Sequence, residues 1–157
     1  MSDDTKKIAV ILRGVPGSGK SSFVDTMLAA YPLSMVHSID DLHIDDSGNF
    51  LWNEKEQEKL YLLNYCNFVK SCSKKIPIVI VDCINIQICD FEKYISAARM
   101  FGYQVYVVTP DMPTASDAAS RNRHHVSSTQ VDDMYERWES WPSESEIALK
   151  MKKVGKG

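Results

Sequence analysis

A parallel α/β sheet covered by helices on both faces is the fold class this sequence predicts, on three observations. Short apolar runs of strand length alternate with segments of helical character along the chain. The first run leads into Gly14-Val15-Pro16-Gly17-Ser18-Gly19-Lys20-Ser21, which fits the P-loop pattern G-x-x-x-x-G-K-[ST] at every fixed position, and a helical segment follows. The first apolar run ends in that glycine loop, the second in Asp40-Asp41 and the third in Asp82 with Asn85 nearby. In parallel sheets ligands sit beyond the carboxyl ends of the strands, so these groups fall where chemistry is done.

The elements follow in order. Residues 6–13 form the first strand and residues 21–30 the first helix, which Pro32 ends. Residues 33–39 form the second strand, and residues 45–49 a polar turn. A long helix is expected over 53–73, with Tyr61, Tyr65, Phe68 and Cys72 along one face and acids at its start. Residues 76–82 are a continuous apolar run, the signature of a strand buried on both faces. A helix over 91–101 stops at Gly102, and residues 103–108 form the fourth strand. Helices over 113–124 and 129–140 flank the basic stretch Arg121-Asn122-Arg123-His124-His125. One domain is expected over 1–157, with its core over 6–140 and a polar, lysine-bearing tail over 142–157.

Composition narrows the classes. A chain of 157 residues buries about two-thirds or more of its unfolded surface. The net charge of −3 gives no global attraction to nucleic acid or an anionic membrane, so a polyanion would need a local basic patch. The N-terminus is polar and lacks the apolar core of a signal peptide, and no run is long enough to span a bilayer. Cys66, Cys72, Cys83 and Cys89 form no C-x-x-C pair, which argues against a metal or disulfide framework. Free thiols in a reducing compartment, cytoplasmic or nuclear, are the expectation.

The glycine loop has a chemical reason for its spacing. Glycines at 14, 17 and 19 permit positive φ and close approach to a phosphate, and the amides of Ser18 to Ser22 are expected to point inward over the positive end of the helix. Gly17, Ser18, Gly19, Lys20, Ser21 and Ser22 are therefore the expected nucleotide-binding set. Lys20 would bridge the β- and γ-phosphates, and the Ser21 hydroxyl would ligate Mg²⁺. A dinucleotide-binding loop needs G-x-G-x-x-G, whereas the glycines here run G-x-x-G-x-G with Lys-Ser attached.

Further groups are weighed against plainer roles. A carboxylate near a γ-phosphate accepts the proton of an attacking hydroxyl, which suits Asp40 as base with Asp41 beside the acceptor; the plainer role is a solvated turn or helix cap. Asp82 ends a buried strand, as do carboxylates near Mg²⁺ in many P-loop proteins, or it caps the loop that follows. Arg121 and Arg123 could close over the transferred group, against the alternative of cations complementing a helix end. His124 and His125 are adjacent and cannot share a metal from a helix. The stretch from His43 to Glu54 has EF-hand-like spacing, but His43 stands at the first ligand position. Val131, Tyr135 and Trp138 share a helical face, which core packing explains, and an edge aromatic could stack on adenine.

Taken together, these residues resemble the polynucleotide-kinase-like branch of P-loop proteins, and most closely the small ATP-binding domain of the Nedd-four-binding-protein-two-like family. The blocks that carry the resemblance run from residue 13 to 21, 38 to 41, 81 to 87, 121 to 126 and 134 to 137. The resemblance implies an α/β P-loop NTPase of kinase-like type: a three-layer sandwich with a central parallel sheet and an arginine-bearing lid. It implies ATP and Mg²⁺ as cofactors, Asp40 as base for a 5′-hydroxyl, and Arg121 or Arg123 over the phosphates. Two departures fall at the acceptor side. His43 replaces an arginine of the phage-type enzymes, and Asp82-Cys83-Ile84-Asn85 replaces Asp-Asn-Thr-Asn.

The function expected is transfer of the ATP γ-phosphate to an acceptor hydroxyl, foremost the 5′-hydroxyl of a polynucleotide. Catalytic roles fall to Asp40, Lys20, Arg121 and Arg123, metal-binding roles to Ser21 and Asp82, and acceptor contacts to Asp41, His43 and Asn85. The partners expected are a nucleotide and a single-stranded nucleic acid, with no membrane. A small-molecule or nucleotide kinase, and a non-catalytic ATP-binding regulatory module, are the alternatives.

Overall fold

The computed structural model describes residues 6–42, 56–110, 113–121 and 126–141, with the side chains of Asp40 and Asp41 excepted. The expected turn at 45–49, the EF-hand-like stretch, the helix start at 53–55 and the tail from 142 lie outside these residues.

Strands β1 (Ile8–Leu12), β2 (Met35–Ser38), β3 (Ile78–Asp82) and β4 (Gln104–Val108) form an all-parallel sheet in the order β2-β3-β1-β4. Among the described residues the helices are α1 (Lys20–Ala30), α2 (Ile39–Leu42), α3 (Gln57–Ser73), α4 (Ile88–Met100), α5 (Ala115–Arg121) and α6 (Ser128–Glu136). No helix among them is long and apolar enough to cross a membrane.

The strands are apolar throughout because successive side chains enter different layers. Ala9 and Ile11, Val79 and Val81, and Val105 and Val107 point into a core shared with Phe68 and Cys72 of α3 and Phe91, Tyr94, Ile95, Ala97 and Ala98 of α4. Val10, Leu12, Ile80 and Val108 point the other way, onto Val24, Phe23, Met27 and Leu28 of α1. Helices on both sides of one sheet make the three-layer sandwich.

Element boundaries shift where local hydrogen bonds outrank hydropathy. Leu33, expected in the second strand, is exposed in a turn that the Ser34 amide and hydroxyl close on the Tyr31 carbonyl. The strand gives way at Ile39 to the short helix that carries Asp40 and Asp41. α4 starts three residues before the expected 91, because the Gln87 amide donates to the Asp90 carboxylate (3.0 Å) in a capping box. α5 (Ala115–Arg121) begins two residues after the expected 113, and α6 (Ser128–Glu136) stops four residues short of the expected 140; it begins after Ser127, whose amide donates to Gln130 Oε1 (2.8 Å).

The buried stripe of α3 also differs from the expected aromatic face. It runs through Asn64, Phe68, Ser71 and Cys72, while Tyr65 is half-buried and Tyr61 exposed. The two polar members are there because each has a buried partner. Asn64 Nδ2 donates to Tyr94 Oη (3.0 Å), with Cys83 Sγ at 3.6 Å. Ser71 Oγ lies 2.9 Å from His37 Nε2, and the imidazole stands edge-on to Phe68. None of the four cysteines is in a disulfide, and burial pushes the Cys72 thiol up to about 11.

His37 gives the fold a pH dependence of known sign. Burial lowers its pKa from 6.5 to about 4, so between those values the unfolded chain binds more protons than the folded one. Its contribution is complete above the unfolded value and is lost as pH falls toward the folded one. From pH 7 to pH 5 the expected loss is about 2 kcal/mol. Urea unfolding across that range measures it, and His37→Gln should flatten the slope.

Candidate functional site

The register brings the ends of the strands to one level. Leu12 pairs with Asp82 of β3 and Val108 of β4, and Asp82 pairs in turn with Ser38 of β2. The glycine loop leaves the sheet after Leu12, and the backbone of Asp40 follows two residues after Ser38, in α2. The P-loop, Asp40-Asp41 and Asp82 thus share the carboxyl edge of the sheet, as their positions in the sequence led one to expect.

Within the loop each glycine has its own reason. Gly19 has φ +103° and open space around it, so backbone conformation alone selects glycine there. Gly17 has φ +85°, and a Cβ on it would lie 2.3 Å from the Ala118 carbonyl oxygen of α5. Gly14, expected to share the positive φ, does not; a Cβ there would meet Ser18 Oγ at 2.4 Å, so space is its reason. The inward orientation expected for the Ser18 amide is also corrected, because that N–H closes a turn on the Val15 carbonyl (3.1 Å). The amides of Lys20, Ser21 and Ser22 open α1, where a helix has no intrahelical acceptors for its N–H groups. Lys20 Nζ lies over the loop, donating to the carbonyls of Gly14 (2.7 Å) and Val15 (3.3 Å).

The chemistry of this loop fits an anion. Ser18 Oγ is buried and finds no partner among the described residues, an orphan that phosphate oxygens would satisfy. The lysine ammonium and the positive end of α1 supply the charge. Ser21 is exposed and Asp82 half-buried, and both are oxygen donors of the kind Mg²⁺ takes.

The root of the loop is held by a residue to which the sequence reading gave no role. Arg13 is 2% exposed. Its Nε donates to the Asn85 carbonyl (2.8 Å), and its Nη2 donates to the carbonyls of Ile86 (2.6 Å) and Glu139 (2.7 Å). The guanidinium lies between two rings, 4.6 Å from the Phe91 centroid and 4.2 Å from that of Trp138. Burial lowers its pKa to about 10, against the opposing pull of Asp90 and Glu139. The available signal was an arginine ending an apolar strand in a chain whose aromatics fall at helical spacing. Trp138 was expected in the core with Val131 and Tyr135. It is half-buried on Arg13, while Val131 and Tyr135 pack with Val15 and Ala118.

The loop after β3 crosses the same root. The Gly14 amide donates to the Ile84 carbonyl (3.0 Å), and Asn85 Nδ2 donates to the Leu12 carbonyl (2.7 Å). Asn85, expected at the acceptor, is 5% exposed and held at φ +52°, a conformation asparagine tolerates better than most residues. Its amide binds the chain instead. Cys83 is buried, with its Sγ 3.6 Å from Asn64 Nδ2.

Arg121 ends α5, exposed, with Nε 3.3 Å from the Asp117 carbonyl. It sits one turn beyond Ala118, the residue that rests on Gly17. His43 and Arg123 lie outside the described residues, as do the side chains of Asp40 and Asp41.

A parallel 2-3-1-4 sheet, a P-loop with its lysine folded over it, a strand-end aspartate and a helical pair docked on the loop define a P-loop kinase-like α/β protein. The chain belongs to the AAA domain family, whose model matches residues 10–140. It is 28% identical over 139 residues to human NEDD4-binding protein 2, a match covering 87% of this chain and 8% of that protein, so the chain spans under a tenth of that relative. Among solved structures it is similar to a chain of the Pnkp1/Rnl/Hen1 RNA repair complex (TM-score 0.68, 14% identity, 87% of this chain and 46% of that one). It is also similar to a gluconokinase from Sinorhizobium meliloti 1021 (TM-score 0.58, 18% identity, 85% of this chain and 75% of that one).

Because Gly17 has both a positive φ and the α5 backbone against it, Gly17→Ala should destabilise the domain. The backbone strain alone is worth about 1–3 kcal/mol, and the clash adds to it. Thermal melting should show a Tm lower by about 2–4 °C for each kcal/mol, whereas Gly14→Ala, opposed by the side chains of Ser18 and Lys20 rather than by backbone, should be milder.

Proposed function

We propose that the domain transfers the γ-phosphate of ATP to an acceptor hydroxyl, with the 5′-hydroxyl of a polynucleotide as the leading acceptor. The observation that carries this reading is the shared sheet edge, where the P-loop, the Asp40-Asp41 backbone and Asp82 follow strand ends set level by register. In this reading the α1 amides and Lys20 hold the triphosphate. The acceptor oxygen bonds to the γ-phosphorus as the β–γ bridge breaks and ADP departs. Asp40 takes the acceptor's proton, with Asp41 and His43 beside the acceptor. Arg121 or Arg123 offsets charge on the transferred group. Ser21 and Asp82 are the residues that would hold Mg²⁺, which would supply charge neutralisation for the triphosphate. The likeness to a chain of an RNA repair complex supports the choice of acceptor.

A small-molecule acceptor is the second reading. It is favoured by the net charge of −3 and by the likeness to a gluconokinase. Incubation with γ-labelled ATP and a 5′-hydroxyl oligonucleotide separates the two. The leading reading predicts label on the oligonucleotide, reduced about 10²- to 10⁴-fold in Asp40→Asn. Transfer no greater than that of Asp40→Asn, with label appearing on small hydroxylated acceptors, would hand the reaction to the second.

A further inference from the structure

We propose that Arg13 is a positioning residue that locks the P-loop to the segment just past α6, so that this anchorage sets the affinity for nucleotide. The proposal rests on the reading of the loop as a nucleotide site.

The helical pair α5–α6 stands on the P-loop at two places. One is apolar: Ala118 and Val131, both fully buried, pack on Val15, and the Ala118 carbonyl lies against Gly17. The other is polar and lies just past the end of α6. There Trp138 covers one face of the Arg13 guanidinium, and the Glu139 carbonyl accepts from Nη2. The Glu139 amide donates to the Ile86 carbonyl (3.0 Å), which also accepts from the same Nη2. Arg13 and Glu139 are 126 positions apart, so one side chain ties the first strand's end to the last described turn.

A guanidinium presents several donors in one rigid plane and stacks on aromatic faces, so a single side chain can meet three carbonyls while filling the slot between Phe91 and Trp138. Lysine keeps the charge but has neither the plane nor the fork. The Arg13 amide itself donates to the Val108 carbonyl (2.9 Å), and Gly14 follows directly. The anchored guanidinium thus belongs to the residue next to the first glycine of the loop. Both footings bear on residues 13 to 17, the segment that must hold its shape around a phosphate. Loosening the segment after α6 should disturb the loop, although Trp138 is not part of it.

Two variants test this, Arg13→Lys and Trp138→Leu, with circular dichroism as the check on folding. Calorimetry with Mg·ADP should show each single variant about tenfold weaker. The double variant should be no weaker than the worse single, because both remove one linkage. Amide exchange in unliganded protein should speed up over residues 14–19 in Trp138→Leu. If Trp138→Leu lowers Tm while Mg·ADP affinity and exchange of the loop stay at wild-type values, Arg13 and Trp138 merely fill the core and the proposal falls. Should Arg13→Lys fail to fold, Trp138→Leu carries both readouts. Absence of Mg·ADP binding in the wild type would instead strike the nucleotide reading, and the exchange data would still decide the linkage.

Discussion

The buried guanidinium of Arg13 is the constraint on which the rest of this site depends. Removing such a group from water costs several kcal/mol, and that cost appears as a pKa lowered to about 10. The group still carries its charge at neutral pH. Three backbone carbonyls within 2.8 Å and two aromatic faces supply the compensation. Hydrogen bonds from a charged donor are worth roughly 1.5–3 kcal/mol each. The carbonyls belong to the loop after β3 and to the segment after α6, so the compensation is also what fixes those segments. Asn85 completes the arrangement from the other side, its backbone accepting from Arg13 and its amide holding Leu12.

A second constraint is the closeness of α5 to the loop. Glycine at 17 is required by conformation and by space together, because the Ala118 backbone occupies the place of a side chain. A helix bearing Arg121 at its end is thereby brought up against the loop that Lys20 covers. Beneath the carboxyl edge, the Asn64–Tyr94 hydrogen bond ties α3 to α4, and burial raises the Tyr94 pKa so that its hydroxyl stays protonated. Asn64 also reaches Cys83, the residue after Asp82. The strand-end aspartate is followed at once by a buried, anchored position.

Much of the layer structure could be read from the sequence because it depends on periodicity and on one motif. Four apolar runs with helices between them, and G-x-x-x-x-G-K-S after the first, correspond to β1–β4 and to the start of α1. What escaped reading depends on pairing at a distance. An arginine at the end of an apolar strand does not by itself show burial, since its three acceptors lie 72 to 126 positions away. Asn85 looked like a polar residue at a strand end facing a substrate, and only the path of the β1 root shows that its amide meets Leu12. Gly14 and Gly17 were both expected at positive φ; Gly17 has it and has α5 against it as well, whereas Gly14 is a matter of room beside Ser18. Helix starts were missed where a capping box, Gln87 with Asp90, extends a helix beyond its apolar pattern.

The proposed nucleotide cradle at the carboxyl edge of the sheet has Lys20 as its principal cation. Titration of Mg·ATP into the wild-type protein and into Lys20→Ala, followed by calorimetry, tests it most directly. The account predicts one saturable site in the wild type and loss of binding in the variant, with both proteins equally folded. Equal binding by the two, or none by the wild type, would contradict it.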